Sequence, residues 1–184
     1  MQGNWTRSKK VMKKSNVALI GFMGTGKTVI GAKLAQVLDK EFIELDELIV
    51  QKAGKSIPQI FAEEGEIQFR EYEMEICKEI SQRENLVIAC GGGIVLNKLN
   101  LDYLRQSSII ICLKSSPEVI FQRISKDGKE KRPLLNKPDP KAEIGKLLKF
   151  RAPFYNAATE HQIDTSKLTV DEVVEKIREI YESA

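Results

Sequence analysis

Short apolar runs and longer helical patterns alternate along this chain, the signature of a parallel sheet covered by helices. Five runs read as strands: 17–20, 42–45, 86–90, 109–113 and 161–163. Apolar positions recur at helical spacing over about 27–38, 47–53, 57–82, 97–106, 117–125, 140–156 and 169–182. Gly65 lies inside the longest of these and is expected to divide it into two helices. Two stretches fit neither pattern. Gly91-Gly92-Gly93 follows the third strand directly, and 126–140 (KDGKEKRPLLNKPDP) mixes Gly128 and three prolines with dense charge. A loop of that length inside a compact domain reads as a lid or an insert.

Length and composition narrow the class. A chain of 184 residues, 42% apolar and 30% charged, is an ordinary globular protein of one domain. Those figures exclude a disordered chain, a collagen-like repeat and a disulfide scaffold. No apolar run approaches the roughly 18 residues of a membrane span. The net charge of +3 is unevenly spread: residues 1–14 hold five basic residues and no acid, which leaves 24 basic against 26 acidic in the remainder. Residues 1–15 are therefore expected to be a basic, disordered tail, and 16–184 a single domain with a lid at about 126–140. A basic tail is not a basic face on the fold, so neither nucleic acid nor membrane is an expected partner. Cys77, Cys90 and Cys112 are odd in number, lie in apolar segments and lack metal-ligand spacing, which fits a reducing cytoplasm. His161 is the only histidine, so a His-based triad or multi-His metal site has little to build on.

The firmest chemical signal is Gly21-Phe22-Met23-Gly24-Thr25-Gly26-Lys27-Thr28, a full match to G-x-x-x-x-G-K-S/T between a strand and a helix. Its backbone amides, with Gly21, Met23, Gly24, Thr25 and Gly26 among them, are expected to cradle nucleotide phosphates. Lys27 would add a cation, Thr28 a hydroxyl ligand for Mg²⁺, and the following helix its positive end. The acceptor of the phosphate has to be read elsewhere. The third strand ends in Cys90-Gly91-Gly92-Gly93, where many proteins with this loop carry a metal-binding aspartate, which counts against a standard ATPase. Glu44 and Asp46 close the second strand and, at a period of two, are expected on one face at its ligand-facing end. Two such carboxylates suit water on a metal and deprotonation of a hydroxyl.

Helix 66–82 has an apolar side of Ile67, Phe69, Tyr72, Met74, Ile76, Cys77 and Ile80, interrupted by Arg70 and Glu73, which are neighbours at i, i+3. A buried charge is paired or binds something. An arginine held in an apolar wall by a glutamate is suited to an anionic substrate. The three glycines would let backbone approach a ligand closely. Arg132 in the irregular segment and Arg151 on the run behind it suit closure over a transferring phosphate.

Taken in order, GFMGTGKT, FIELDELI, GKSIPQIFAEEGEIQFREYE, ACGGGIV, KRPLL and RAPFY resemble the shikimate kinase family over about residues 16–165. The resemblance implies a three-layer αβα P-loop kinase fold with a five-stranded parallel sheet, order 2-3-1-4-5, and a mobile lid. It implies MgATP-dependent phosphorylation of the 3-hydroxyl of shikimate by a cytoplasmic, monomeric enzyme. By residue, it implies that Lys27 contacts phosphate and Thr28 binds magnesium. Asp46 would hydrogen-bond the reacting hydroxyl, while Arg70 and Arg151 hold the substrate carboxylate. Glu73 would orient the binding-site arginine, Gly92 and Gly93 would contact substrate, Arg123 would lie against adenine, and Arg132 would reach the transferring phosphate. The family usually has Asp-x-Asp after strand two, whereas here the longer Glu44 must fold back to reach the same magnesium-bound water. Kinases of related polyol acids such as gluconate or quinate, and a nucleotide-binding regulator without catalysis, are the competing readings. The joint presence of Lys27, Asp46, Arg70, Arg132 and Arg151 argues against both.

Overall fold

Val17, Ala18, Leu19 and Ile20 have no solvent exposure, so the first strand is covered on both faces, as central strands of parallel sheets are. The computed structural model describes residues 14–126, 138–159 and 161–184. Among the described residues, β1 (Asn16–Ile20), β2 (Glu41–Glu44), β3 (Leu86–Ala89), β4 (Ser108–Lys114) and β5 (Gln162–Asp164) form one parallel sheet in the order β2-β3-β1-β4-β5. The helices are α1 (Lys27–Leu38), α2 (Leu45–Ala53), α3 (Ile57–Glu63), α4 (Gly65–Ile80), α5 (Lys98–Ser107), α6 (Pro117–Lys126), α7 (Pro140–Ala158) and α8 (Val170–Ser183).

Successive strand residues feed two separate cores, because side chains alternate across a sheet. Ala18, Ile20, Ile88, Ile110 and Cys112 pack with residues of α2 to α7, whereas Val17, Leu19, Val87, Ile109, Ile111 and Leu113 pack with α1 and α8. The order puts β1 between β3 and β4, so the loops leaving β1 and β3 open side by side at the carboxyl edge of the sheet, where ligands of such sheets bind. Local signals set several helix starts. Ser56 and Gln59 form a capping box at α3, Thr169 and Glu172 another at α8, and the Asp139 carboxylate accepts from the Ala142 amide at α7.

Two expectations change. The second strand ends at Glu44, and Leu45 already begins α2, so Glu44 and Asp46 do not share a strand face. Leu45 and Ile49, one turn apart, are both buried, and Asp46 and Glu47 in the first turn favour the positive helix end, so burial and dipole together select the helix. Ile67 lies on the expected apolar side of α4 yet is 80% exposed, and Glu66 beside it in the first turn of the helix is exposed too. Just ahead of β1, the Ser15 carbonyl accepts from Lys40 Nζ at 2.8 Å. Residues 1–13, most of the lid and Arg132 lie outside the described residues. No helix among the described residues is long and apolar enough to cross a membrane.

Candidate active site

The loop between β1 and α1 starts with a conformation that only glycine adopts easily. Gly21 has φ 145°, and a Cβ there would lie 2.3 Å from the Leu113 carbonyl oxygen on β4. The loop then curls on itself, with Thr25 Oγ1 donating to the Phe22 carbonyl at 2.8 Å. Gly26 caps α1 without a side chain, so the positive end of the helix faces the cleft. Lys27 Nζ donates to the carbonyls of Gly21 at 2.8 Å and Phe22 at 2.9 Å, which holds the cation over the loop. This loop borders a cavity of about 740 Å³ whose wall includes all residues from 23 to 30, together with Glu44, Asp46, Gly91 and Gly92.

Another part of that cavity's wall is not part of the sequence reading. Thr165, Leu168, Thr169, Val170 and Val173, in the segment from β5 into α8, line it beside Arg123. The available signal is the short fifth strand, since the carboxyl ends of parallel strands face the crevice. Arg123 fastens this segment to the phosphate loop. Its Nη1 donates to the Gly24 carbonyl, Ser115 Oγ and Thr165 Oγ1 at 3.0–3.2 Å, and its Nη2 to the Thr165 carbonyl at 2.8 Å.

Gly91-Gly92-Gly93 runs between the remaining predicted residues. A Cβ on Gly91 would lie 2.8 Å from Asp46 Oδ1, and one on Gly93 would lie 2.8 Å from Arg70 Nη1. A side chain at either point would push those groups aside, so the glycines leave Asp46 and Arg70 where they stand. The Gly92 carbonyl accepts from Arg151 Nη1 at 3.3 Å and from Tyr155 Oη at 2.6 Å, one turn apart on α7. The Arg151 guanidinium also stacks 5.6 Å from the Phe22 ring, and its Nε is buried without a partner among the described residues. On α4, Glu73 is fully buried and Arg70 Nη1 donates to its Oε1 and Oε2 at 3.3 and 3.2 Å. Burial holds the Glu73 carboxyl above the usual glutamate range, against the opposing pull of Arg70. Arg70 itself borders a second cavity of about 380 Å³, with Glu66, Ile67, Glu71, Met74 and Asn97.

The structure thus brings Asp46, Arg70, Glu73, Arg151 and the three glycines together, and sets them against the phosphate loop. Cys77, Cys90 and Cys112 are buried, and burial pushes the Cys112 thiol up to about 11 and the other two further, so none is poised as a nucleophile. Thr28 and Glu44 offer a hydroxyl and a carboxylate to the same cavity. Such an all-oxygen, sparse set fits Mg²⁺, which keeps waters and substrate phosphates as most of its ligands. Among the described residues no group of three or more His, Cys, Asp or Glu could hold a metal alone.

A family model described as shikimate kinase matches residues 23–182. A shikimate kinase of Pelotomaculum thermopropionicum is 44% identical over 162 residues, covering 88% of this chain and 92% of its own length. One from Caldanaerobacter subterraneus subsp. tengcongensis is 45% identical over 166 residues, covering 90% and 95%. Among solved structures, a shikimate kinase from Acinetobacter baumannii in complex with shikimate superposes with a TM-score of 0.84 at 36% identity, covering 92% of this chain and 93% of that one. The Aquifex aeolicus shikimate kinase gives 0.74 at 32%, covering 91% and 96%. Six motifs in order, a sheet of order 2-3-1-4-5 and these matches across nearly the whole chain have one meaning: the chain belongs to the shikimate kinase family, phosphotransferases that use ATP.

Proposed function

We propose a division of labour within the cleft for transfer of the γ-phosphoryl group of ATP to the 3-hydroxyl of shikimate. The loop of residues 21–28 and Lys27 hold the β- and γ-phosphates, and the wall of Arg123 and residues 165–173 holds the nucleoside. Asp46 orients the acceptor hydroxyl and takes its proton as the new oxygen–phosphorus bond forms. The bond from that phosphorus to the β-phosphate oxygen breaks, and ADP leaves. Lys27, Arg132 and the loop amides stabilise charge on the transferring group. Arg70, held by Glu73, and Arg151 bind the acceptor carboxylate, with the Gly92 and Gly93 backbone beneath it. Thr28, and Glu44 through water, are the residues for Mg²⁺, which supplies charge neutralisation at the phosphates when bound. Because every group in this scheme comes from one chain, it needs only a monomer, and the free, buried cysteines suit work in a reducing cytoplasm.

One observation carries this reading above the others. The triple-glycine exit of β3 has Asp46 against one end and Arg70 against the other, and Asp46 shares the cavity of the phosphate loop, so a base lies beside that loop with a carboxylate clamp further along the same glycine run. Shikimate, with a carboxylate and hydroxyls on a small ring, offers a partner to each of these groups. A coupled assay of ADP release with shikimate, quinate and gluconate in parallel tests it: turnover is expected with shikimate, and turnover confined to gluconate or quinate would overturn it.

The metal role of Glu44 has its own test. Glu44→Gln is expected to raise the magnesium concentration for half-maximal rate by about 10- to 100-fold, the usual effect of changing a group that holds a metal-bound water. The KM for shikimate should hardly move. An unchanged magnesium titration would remove Glu44 from the site.

A further inference from the structure

Asn100 is a polar residue of this region that the mechanism above does not use. It lies on α5 with no solvent exposure, and its Nδ2 donates to Glu73 Oε2 at 2.9 Å. We infer that Asn100 is a positioning residue for the acceptor: its amide N–H pins the Glu73 carboxylate on α4 in the orientation that holds Arg70 toward the substrate. The inference rests on the reading that Arg70 binds the acceptor carboxylate.

Three features of the geometry lead to it. First, Arg70 cannot fix Glu73 unaided. Its bonds to Glu73 are 3.2 and 3.3 Å, long for a charge-assisted pair, and its Nη2 is drawn to Glu66 Oε1 at 3.1 Å. Glu66 is mostly exposed, so an incoming carboxylate can displace it, whereas Glu73 has to stay. A second, independent donor to Glu73 provides that persistence. Second, the donor is neutral. A lysine or arginine at this point would satisfy the negative charge of Glu73 and weaken its hold on Arg70, while an amide fixes the carboxylate and leaves the charge for Arg70. Third, the arrangement costs the fold something. Asn100 Oδ1 is buried without a hydrogen-bond partner among the described residues. An ionised carboxylate only accepts, so the amide must turn its N–H toward Glu73 and strand its carbonyl. A residue chosen for packing alone would be apolar here, since an unsatisfied buried acceptor destabilises the native state.

The groups facing Glu73 define the pH behaviour. They are Arg70 and Cys77 on α4, Asp46 on α2, Cys90 after β3, and Asn100 on α5. Burial and Asp46 push the Glu73 carboxyl up, while Arg70 and Asn100 pull it down. With Asn100 in place the carboxylate survives to lower pH. Removing the donor raises the pH at which Glu73 takes a proton and lets go of Arg70, so the acidic fall in shikimate use moves upward.

The test uses the full chain and two near-isosteric variants, Asn100→Leu, which fills the space without a donor, and Asn100→Asp, which sets a second carboxyl against Glu73. Shikimate is varied at saturating MgATP from weakly acidic to weakly basic pH. Both variants are expected to raise the KM for shikimate by about 10-fold, the scale of a lost hydrogen bond to a charged group, with kcat and the KM for ATP within about 2-fold. The acidic limb of kcat/KM should move up by about one unit in Asn100→Leu and further in Asn100→Asp, where two carboxyls share a proton. A lower Tm with the parent KM and the parent acidic limb would make Asn100 a packing residue and overturn the inference. Arg70→Ala is run beside them. If it raises the KM for shikimate and the Asn100 variants do not, the positioning role alone fails. If Arg70→Ala leaves that KM unchanged, the carboxylate is not on Arg70 and both readings fall.

Discussion

Asp46→Asn is expected to lower turnover of shikimate by about 10² to 10⁴, the span covered by a positioned general base, while ATP affinity without shikimate stays within a few-fold. Asparagine keeps the size and hydrogen-bonding reach of the side chain but cannot take the proton of the acceptor hydroxyl. The location of Asp46 makes the change clean. It lies in the first turn of α2 and is exposed, so no core packing is lost, and the Asp46 Oδ1 site beside Gly91 is retained. Loss of the charge at the positive end of α2 costs only about 0.3–1 kcal/mol of stability. Titration calorimetry with ATP and then shikimate separates a binding defect from a chemical one. Turnover at the parent rate would mean that the acceptor hydroxyl lies elsewhere.

Lys27→Ala is expected to act on the other half of the cleft. Its ammonium group is held at the phosphate loop by the Gly21 and Phe22 carbonyls, within reach of the cavity. Removing one preorganised donor to developing charge costs about 10² to 10³ in turnover. ATP affinity should fall as well, because the cation also contacts ground-state phosphates, whereas shikimate binding in the absence of nucleotide should be kept. The opposite pattern, lost shikimate binding with normal ATP binding, would reverse the assignment of the two halves. Together with Asp46→Asn, the variant divides the site into a donor side and an acceptor side by measurement.

Much of this arrangement is legible before any coordinates. The central strand and α1 are, because a fully apolar run followed by a glycine-rich loop and a helical period leaves no other local solution. Arg70 and Glu73 stand out as charges on an apolar helix side, and the buried Glu73 bears out that inference from pattern to burial. The junction at Leu45 is not legible in the same way. The alternation of Ile43, Glu44, Leu45 and Asp46 fits a strand until tertiary burial of Ile49 favours the helix. Arg123 is visible as a residue but not as a fastener, since its partners Gly24 and Thr165 are distant in sequence. Asn100 and Tyr155 are hidden for the same reason. A single polar residue on an amphipathic helix carries no period, and only the packing of α4 against α5, or α7 against the glycine loop, reveals its partner.

The wall contributed by residues 165–173 has a consequence for how the protein comes into being. All the acceptor groups, from Asp46 to Arg151, leave the ribosome before that wall does, and the phosphate loop emerges among the first residues of the domain. The nucleotide cavity closes only when β5 joins β4 and α8 docks on α1, a contact between the two ends of the domain. Such long-range pairing forms late, because the intervening chain must first be ordered. A nascent chain can therefore carry every acceptor group and still lack a full seat for ATP. Cellular nucleotide then favours the completed fold over its precursors by mass action, since only that fold binds it fully.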